Sequence, residues 1–326
     1  MPHVAGRVAL AVVGLILVAG GCRQGSVPPG AQRPTRTEFR ELSPPPGALA
    51  LPVTAGSVRF AVIGDSGRGD QAQHEVAQQM IAWRQKFPFD FVLMLGDNIY
   101  PPHAPDDYVR KFEEPYRALL DAGVKFYAAI GNHDPPAELD YPAFNMEGRR
   151  YYSFRRNERN LQGLQGAGVR FFVLDSRSFD SDQLAWLNDE LRKSRTDWKI
   201  SYFHHPLYTS GRYSGGARLL RVAVEPILIQ GDVDVVLSGH EHFYERVRPQ
   251  HGIAYFISGG AGSLRNGDIR PSALTARGFD TDYHFLMMEI SGDTLYFQAI
   301  SRSGETVDAG SITRTPGLSP ETAQGR

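Results

Sequence analysis

A chain of 326 residues with 41% hydrophobic content can bury a sizeable core, as one large domain or two small ones. Lysine plus arginine number 35 against 36 acidic residues, which excludes a global basic field of the kind that gathers nucleic acid. Cys22 is the only cysteine, so no intrachain disulfide is available.

The N-terminus reads as a targeting segment. Arg7 precedes an apolar stretch from Val8 to Ala19, the length of a signal-peptide core and short for a membrane span. It ends in Val18-Ala19-Gly20-Gly21-Cys22. Small residues before a lone cysteine resemble the lipobox of a bacterial lipoprotein, although Ala19 stands where leucine is usual. That resemblance implies lipidation at Cys22 and an exported protein anchored to a membrane, periplasmic or at the cell surface. The plainer alternative is a secretory signal cut nearby. The chain divides accordingly into a signal peptide over 1–21, a Pro/Gly-rich tether over 22–56, a catalytic domain over 57–315 and a flexible tail over 316–326.

From Val58 apolar runs alternate with amphipathic segments. Val58–Ile63 reads as a strand, Asp70–Gln85 as a helix and Phe89–Leu95 as a strand. A helix over Asp106–Leu120 is interrupted at Pro115. Strands follow over Val124–Ile130 and Val169–Leu174, a helix over Asp182–Lys193, a strand over Trp198–Phe203, a helix over Leu219–Ile229 and a strand over Val233–Leu237. The style then changes to strands alone: Ile253–Ser258, His284–Ile290 and Thr294–Ile300, the last two joined by the hairpin signal Ser291-Gly292-Asp293. This order predicts one α/β domain of layered sheets with helices outside.

Five polar clusters each follow one of the apolar runs: Gly64-Asp65-Ser66-Gly67, Gly96-Asp97-Asn98-Ile99-Tyr100, Gly131-Asn132-His133-Asp134, His204-His205-Pro206 and Gly239-His240-Glu241-His242. Singly each is weak, because a Gly-Asp pair after a strand is an ordinary turn and a strand-end histidine is commonly a satisfied core residue. Jointly they are not. Carboxylate, phenol, amide and imidazole are the donors that hold hard or borderline metal ions, and strand ends are where α/β proteins present such groups.

The ordered set resembles the calcineurin-like metallophosphoesterase superfamily, and within it the purple acid phosphatase (tartrate-resistant acid phosphatase-like) branch. The likeness spans about Val58 to Thr313 and includes Phe243-Tyr244-Glu245-Arg246 after the last histidine pair. Generic members carry a histidine two residues after the first aspartate and an acid three residues after the second. This chain has Gly67 and Tyr100 there, the mark of the purple branch.

The resemblance implies a four-layer α/β/β/α sandwich, two mixed β-sheets flanked by helices. It also implies that Asp65, Tyr100 and His242 bind Fe(III), that Asp97 bridges, and that Asn132, His204 and His240 bind a divalent Fe, Zn or Mn. His133 matches the family's catalytic histidine. Hydrolysis of small phosphate monoesters then follows, by in-line attack of a metal-generated hydroxide with His133 as general acid. His205, His103, Arg212 and Tyr213 are candidate substrate contacts; Asp175 reads as structural. The partners expected are a phosphate ester and a membrane reached through the lipid anchor, with no nucleic acid and no obligate protein partner. Two rivals remain open: a phosphodiesterase or nucleotidase on the same metal core, and a surface-anchored binding protein on a degenerate scaffold.

Overall fold

The computed structural model describes residues 37–159, 165–194 and 197–314. The expected signal segment, Cys22 and the tail over 316–326 lie outside them. In chain order the elements are β1 (Thr37–Glu41), β2 (Val58–Ile63), α1 (Gln71–Arg84), β3 (Phe91–Met94), α2 (Arg117–Asp121), β4 (Lys125–Ala128) and β5 (Tyr152–Arg159). Then come β6 (Gln165–Val173), α3 (Ser181–Lys193), β7 (Trp198–Tyr202), α4 (Ser214–Gln230), β8 (Val235–Ser238), β9 (Tyr244–Gln250) and β10 (Ile253–Ser258). The chain closes with β11 (Thr275–Phe279), β12 (His284–Ser291), β13 (Thr294–Ser301) and β14 (Thr306–Arg314).

Two mixed seven-stranded sheets result, in the orders β1-β14-β13-β12-β2-β3-β4 and β11-β9-β10-β8-β7-β6-β5. Strands β2, β3 and β4 run parallel, as do β6, β7, β8 and β10. Side-chain alternation along β6 shows how the layers form. Val169, Phe171 and Val173 face the core between the sheets, where Phe171 meets Phe60 edge-on at 5.4 Å. Phe172 and Leu174 point the other way, under Leu187 and Leu191 of α3 and Val224 and Leu228 of α4. Helix α1 packs on the first sheet through Val76, Ala77 and Met80. This is the α/β/β/α sandwich expected from the sequence.

Local chemistry explains the helix boundaries. Asp70 caps α1 by accepting from Gln73 N–H at 3.1 Å, and Asp180 caps α3 by accepting from Gln183 N–H at 2.9 Å. The helix expected over 106–120 is split, with a π-helical turn at Val109–Glu113 and α2 after Pro115.

One boundary differs from expectation. The tether read over 22–56 is packed from residue 37 onward. Strand β1 pairs with β14, Phe39 opposite Ile312. Ala50 N–H donates to Gln298 at 2.8 Å, Val53 N–H to Glu289 at 2.8 Å, and Leu51 is buried. Glu289 and Gln298 are themselves buried, and this proline-rich stretch supplies the donors and acceptors they need.

Candidate metal centre

Every expected ligand follows the C-terminal end of a parallel strand. Asp65 follows β2, Asp97 and Tyr100 follow β3, Asn132 follows β4, His204 follows β7, and His240 and His242 follow β8. The backbone turns sharply at these points: Asp65, Asp97 and His240 adopt φ of +55°, +53° and +67°. Left-handed backbone is disfavoured for residues with a Cβ, and here it aims side chains at a common centre.

The loops approach so closely that side chains are excluded between them. A Cβ on Gly67 would lie 1.9 Å from the Asn98 carbonyl oxygen, and one on Gly131 would lie 2.2 Å from Asp97 N. Gly67 is fastened on both sides, donating to Asp97 O at 3.2 Å and accepting from Tyr100 N–H at 2.9 Å. Asp134 joins the second and third clusters, accepting from Ile99 N–H at 2.9 Å and Gly131 N–H at 2.7 Å. Asn98 donates to the buried carboxyl of Glu138, which burial and then Asp134 push well above the usual range. The Lys111 ammonium, buried and paired with Asp107 at 2.7 Å, donates to the Tyr100 carbonyl.

Two groups of donor atoms emerge. In the first, Tyr100 Oη is 3.2 Å from Asp65 Oδ1 and 3.0 Å from His242 Nε2, and the latter two are 3.2 Å apart. Adjacent donors around an ion at about 2.1 Å stand about 3 Å apart, so this triangle has the size of three ligands on one ion.

The second group centres on His204. Its Nδ1 lies 2.9 Å from the Leu95 carbonyl, which only accepts; this assigns the ring proton to Nδ1 and leaves a lone pair on Nε2. That lone pair faces Asn132 Oδ1 at 3.0 Å, His240 Nδ1 at 3.2 Å and Asp97 Oδ1 at 3.4 Å. Lewis bases gathered this tightly repel one another unless a proton or a metal ion joins them, and carboxylate, amide and imidazole together are a donor set that fits metal ions. Asp65, Asp97 and His204 have donor atoms within 4.8 Å of one another, as do His204, His205 and His240, so Asp97 lies close to members of both groups.

A proton and a metal ion compete for the His204 Nε2 lone pair, and the surrounding charges set how firmly the proton is held. Burial opposes ionisation of Asp97, but the neighbouring His204 outweighs it and holds the carboxyl well below the usual range. Burial also opposes a charge on His204, yet Asp97 and Asp65 raise its pKa to about 9. Burial and the His204 charge lower His205 to about 4 and His240 to about 2. Burial, then Asp65 and Asp97, push the Tyr100 phenol far above its ordinary value.

The remaining expected residues divide. His133 is exposed, its backbone N–H bonded to Asp97 Oδ1 at 2.9 Å and its ring 4.9 Å from that of Tyr100. Tyr213 stacks on His240 at 4.3 Å, and His205 lies 4.4 Å from the same ring. Ser176 bonds His205 twice, accepting from its N–H and meeting Nδ1, each at 2.9 Å. His103 is turned to the His133 carbonyl at 2.9 Å, and Arg212 to Asp268 at 2.6 Å. Asp175 pairs with Arg177 and Arg150. Sequence reasoning missed Lys111, Ser176 and Arg265, which reach the centre only through tertiary packing.

A family model described as calcineurin-like phosphoesterase matches residues 58–244, more than half of the chain. Purple acid phosphatase 17 of Arabidopsis thaliana is 29% identical over 251 residues, covering 68% of this chain and 73% of the relative. Tartrate-resistant acid phosphatase type 5 of Rattus norvegicus is 24% identical over 309 residues, covering 80% and 92%. Among solved structures, purple acid phosphatase PPD1 from yellow lupin (Lupinus luteus) seeds superposes with a TM-score of 0.63 at 17% identity, covering 82% of this chain and 55% of that one. GAP50, the anchor in the inner membrane complex of Plasmodium, gives 0.69 at 18% identity over 79% and 89%. These two likenesses bear on fold alone.

Proposed function

Because the chain belongs to the calcineurin-like phosphoesterase family, an enzyme class that hydrolyses phosphoric esters, we propose that it is a phosphatase of the purple acid type, acting on phosphate monoesters at two metal ions. The observation that carries this reading is the convergence of lone pairs from both sheets on His204 Nε2 and on the Asp65–Tyr100–His242 triangle. Asp65, Tyr100 and His242 would hold one ion, Asn132, His204 and His240 the other, with Asp97 shared. When bound, such ions lower the pKa of water and offset charge on the phosphoryl oxygens.

Tyr100 supports a trivalent first ion. A phenol raised by burial and two carboxylates becomes phenolate only against a strongly polarising cation, and Fe(III) meets that demand while Fe, Zn or Mn suits the second position. His204 is aimed by the Leu95 carbonyl, and Asp134 holds the Asp97 and Asn132 loops in register. His133, exposed and anchored through its N–H to Asp97, is positioned to give a proton to the leaving oxygen.

A visible absorption spectrum with metal analysis, run on the wild type and on Tyr100→Phe, tests the reading. Iron-loaded wild type should show a tyrosinate-to-iron charge-transfer band that the variant lacks. An iron-loaded wild type without the band would refute the role of Tyr100. Turnover of nitrophenyl phosphate against bis(nitrophenyl) phosphate separates monoesterase from diesterase.

A further inference from the structure

Arg265 follows β10 and is tied to the centre by its own backbone, its N–H donating to the His242 carbonyl at 3.1 Å. Its side chain is 22% exposed, and the guanidinium points at His242 and the neighbouring His240 backbone. The polar contacts are long: 3.4 Å from Nη2 to His242 Nε2, 3.4 Å from Nη1 to the His240 carbonyl and 3.8 Å from Nη1 to Glu241 Oε2. The group packs over the Tyr213 ring at 5.2 Å, and Tyr213 in turn covers His240. A permanent cation facing atoms that would bind metal is electrostatically unfavourable unless an anion enters between them. Glu241 answers that need only in part, because its Oε2 stands 3.8 Å from Nη1, beyond hydrogen-bond distance, while Oε1 is turned to Thr209 and Tyr213 N–H.

We propose that Arg265 makes the site select phosphate monoesters over diesters, by holding the phosphoryl oxygen that a diester lacks. This rests on the function proposed above. A monoester has three terminal oxygens and a diester two. Two ions can claim two of them, and the third is left for a protein donor. A guanidinium supplies paired donors in a rigid fork and discriminates by charge as well, since a monoester above its second pKa of about 6 carries an extra negative charge.

The test compares wild type, Arg265→Gln and Arg265→Lys, metal-loaded, at pH 7.5. It measures kcat/KM for nitrophenyl phosphate and bis(nitrophenyl) phosphate, the dissociation constant of inorganic phosphate by calorimetry, and Tm. Arg265→Gln should lower kcat/KM for the monoester about 10- to 100-fold and weaken phosphate by a similar factor, with the diester changed less than about 3-fold. Lysine should restore part of both losses. A monoester-to-diester ratio and phosphate affinity within about 3-fold of wild type would overturn the proposal. So would equal losses on both substrates with a lowered Tm, which would make Arg265 a counterion for Glu241. If the wild type hydrolyses no monoester, the function proposed above fails, and phosphate affinity alone decides the role of Arg265.

Discussion

His133 stands one residue beyond a proposed ligand, its main chain fastened at 2.9 Å to Asp97 while its ring remains in solvent beside Tyr100. A group so placed can move a proton without holding an ion. His133→Asn should therefore lower kcat roughly 10²–10⁴-fold for an alkyl phosphate, whose leaving oxygen needs the proton. The loss should be much smaller for nitrophenyl phosphate, and metal content should not change. Equal losses on both substrates would remove His133 from that role. At this scale the sequence was most informative, since the seven proposed ligands and His133 occur in motifs read directly along the chain. Arg265 was not legible, because nothing near it in sequence reveals that the loop after β10 folds back against His242. Lys111 was hidden similarly, as an ordinary charged residue on an amphipathic segment until its ammonium is found beneath the Tyr100 carbonyl.

Loops, rather than single residues, set the spacing of the two donor groups. The 64–67 and 97–100 loops touch backbone to backbone at Gly67. Gly67→Ala would place a methyl group 1.9 Å from the Asn98 oxygen, and relief requires the Tyr100 loop to retreat. The expected cost is about 2–3 kcal/mol in chemical denaturation, with weaker binding of the ion at Tyr100. Unchanged stability and metal content would show that the loops are more compliant than their contacts imply. Elements with clear apolar period were legible, including β2, α1, α3 and the β12–β13 hairpin. Strand β5 was not, because Arg155 and Arg156 interrupt its apolar run. In the fold Arg155 forms a two-pronged pair with Asp197 at 2.7 Å, and Arg156 lies over the rings of Phe91, Tyr127 and Phe154. Strands β1, β9, β11 and β14 likewise owe their existence to partners distant in sequence.

The response of the whole molecule to acid depends on a residue outside the centre. His284 opens β12 fully buried, beside Tyr244 and Phe279, and neither ring nitrogen has a hydrogen-bond partner among the described residues. Burial lowers its pKa to about 3, against 6.5 when unfolded. The unfolded chain therefore binds a proton below pH 6.5 that the folded chain refuses until about pH 3, and stability falls across that window as pH drops. The slope approaches about 1.4 kcal/mol per pH unit below pH 6.5, so His284→Leu should gain roughly 2 kcal/mol over wild type between pH 6.5 and 4.5. Parallel stability profiles for the two proteins would disprove this. Strand β12 has a further consequence, for the order in which the molecule is made. It lies between β13 and β2, and β2 leads directly into Asp65. A ribosome delivers β12 long after β2, so during synthesis one edge of β2 waits without its neighbour. The first sheet closes only once β12 has emerged, and the proposed loading of the centre would have to wait for it.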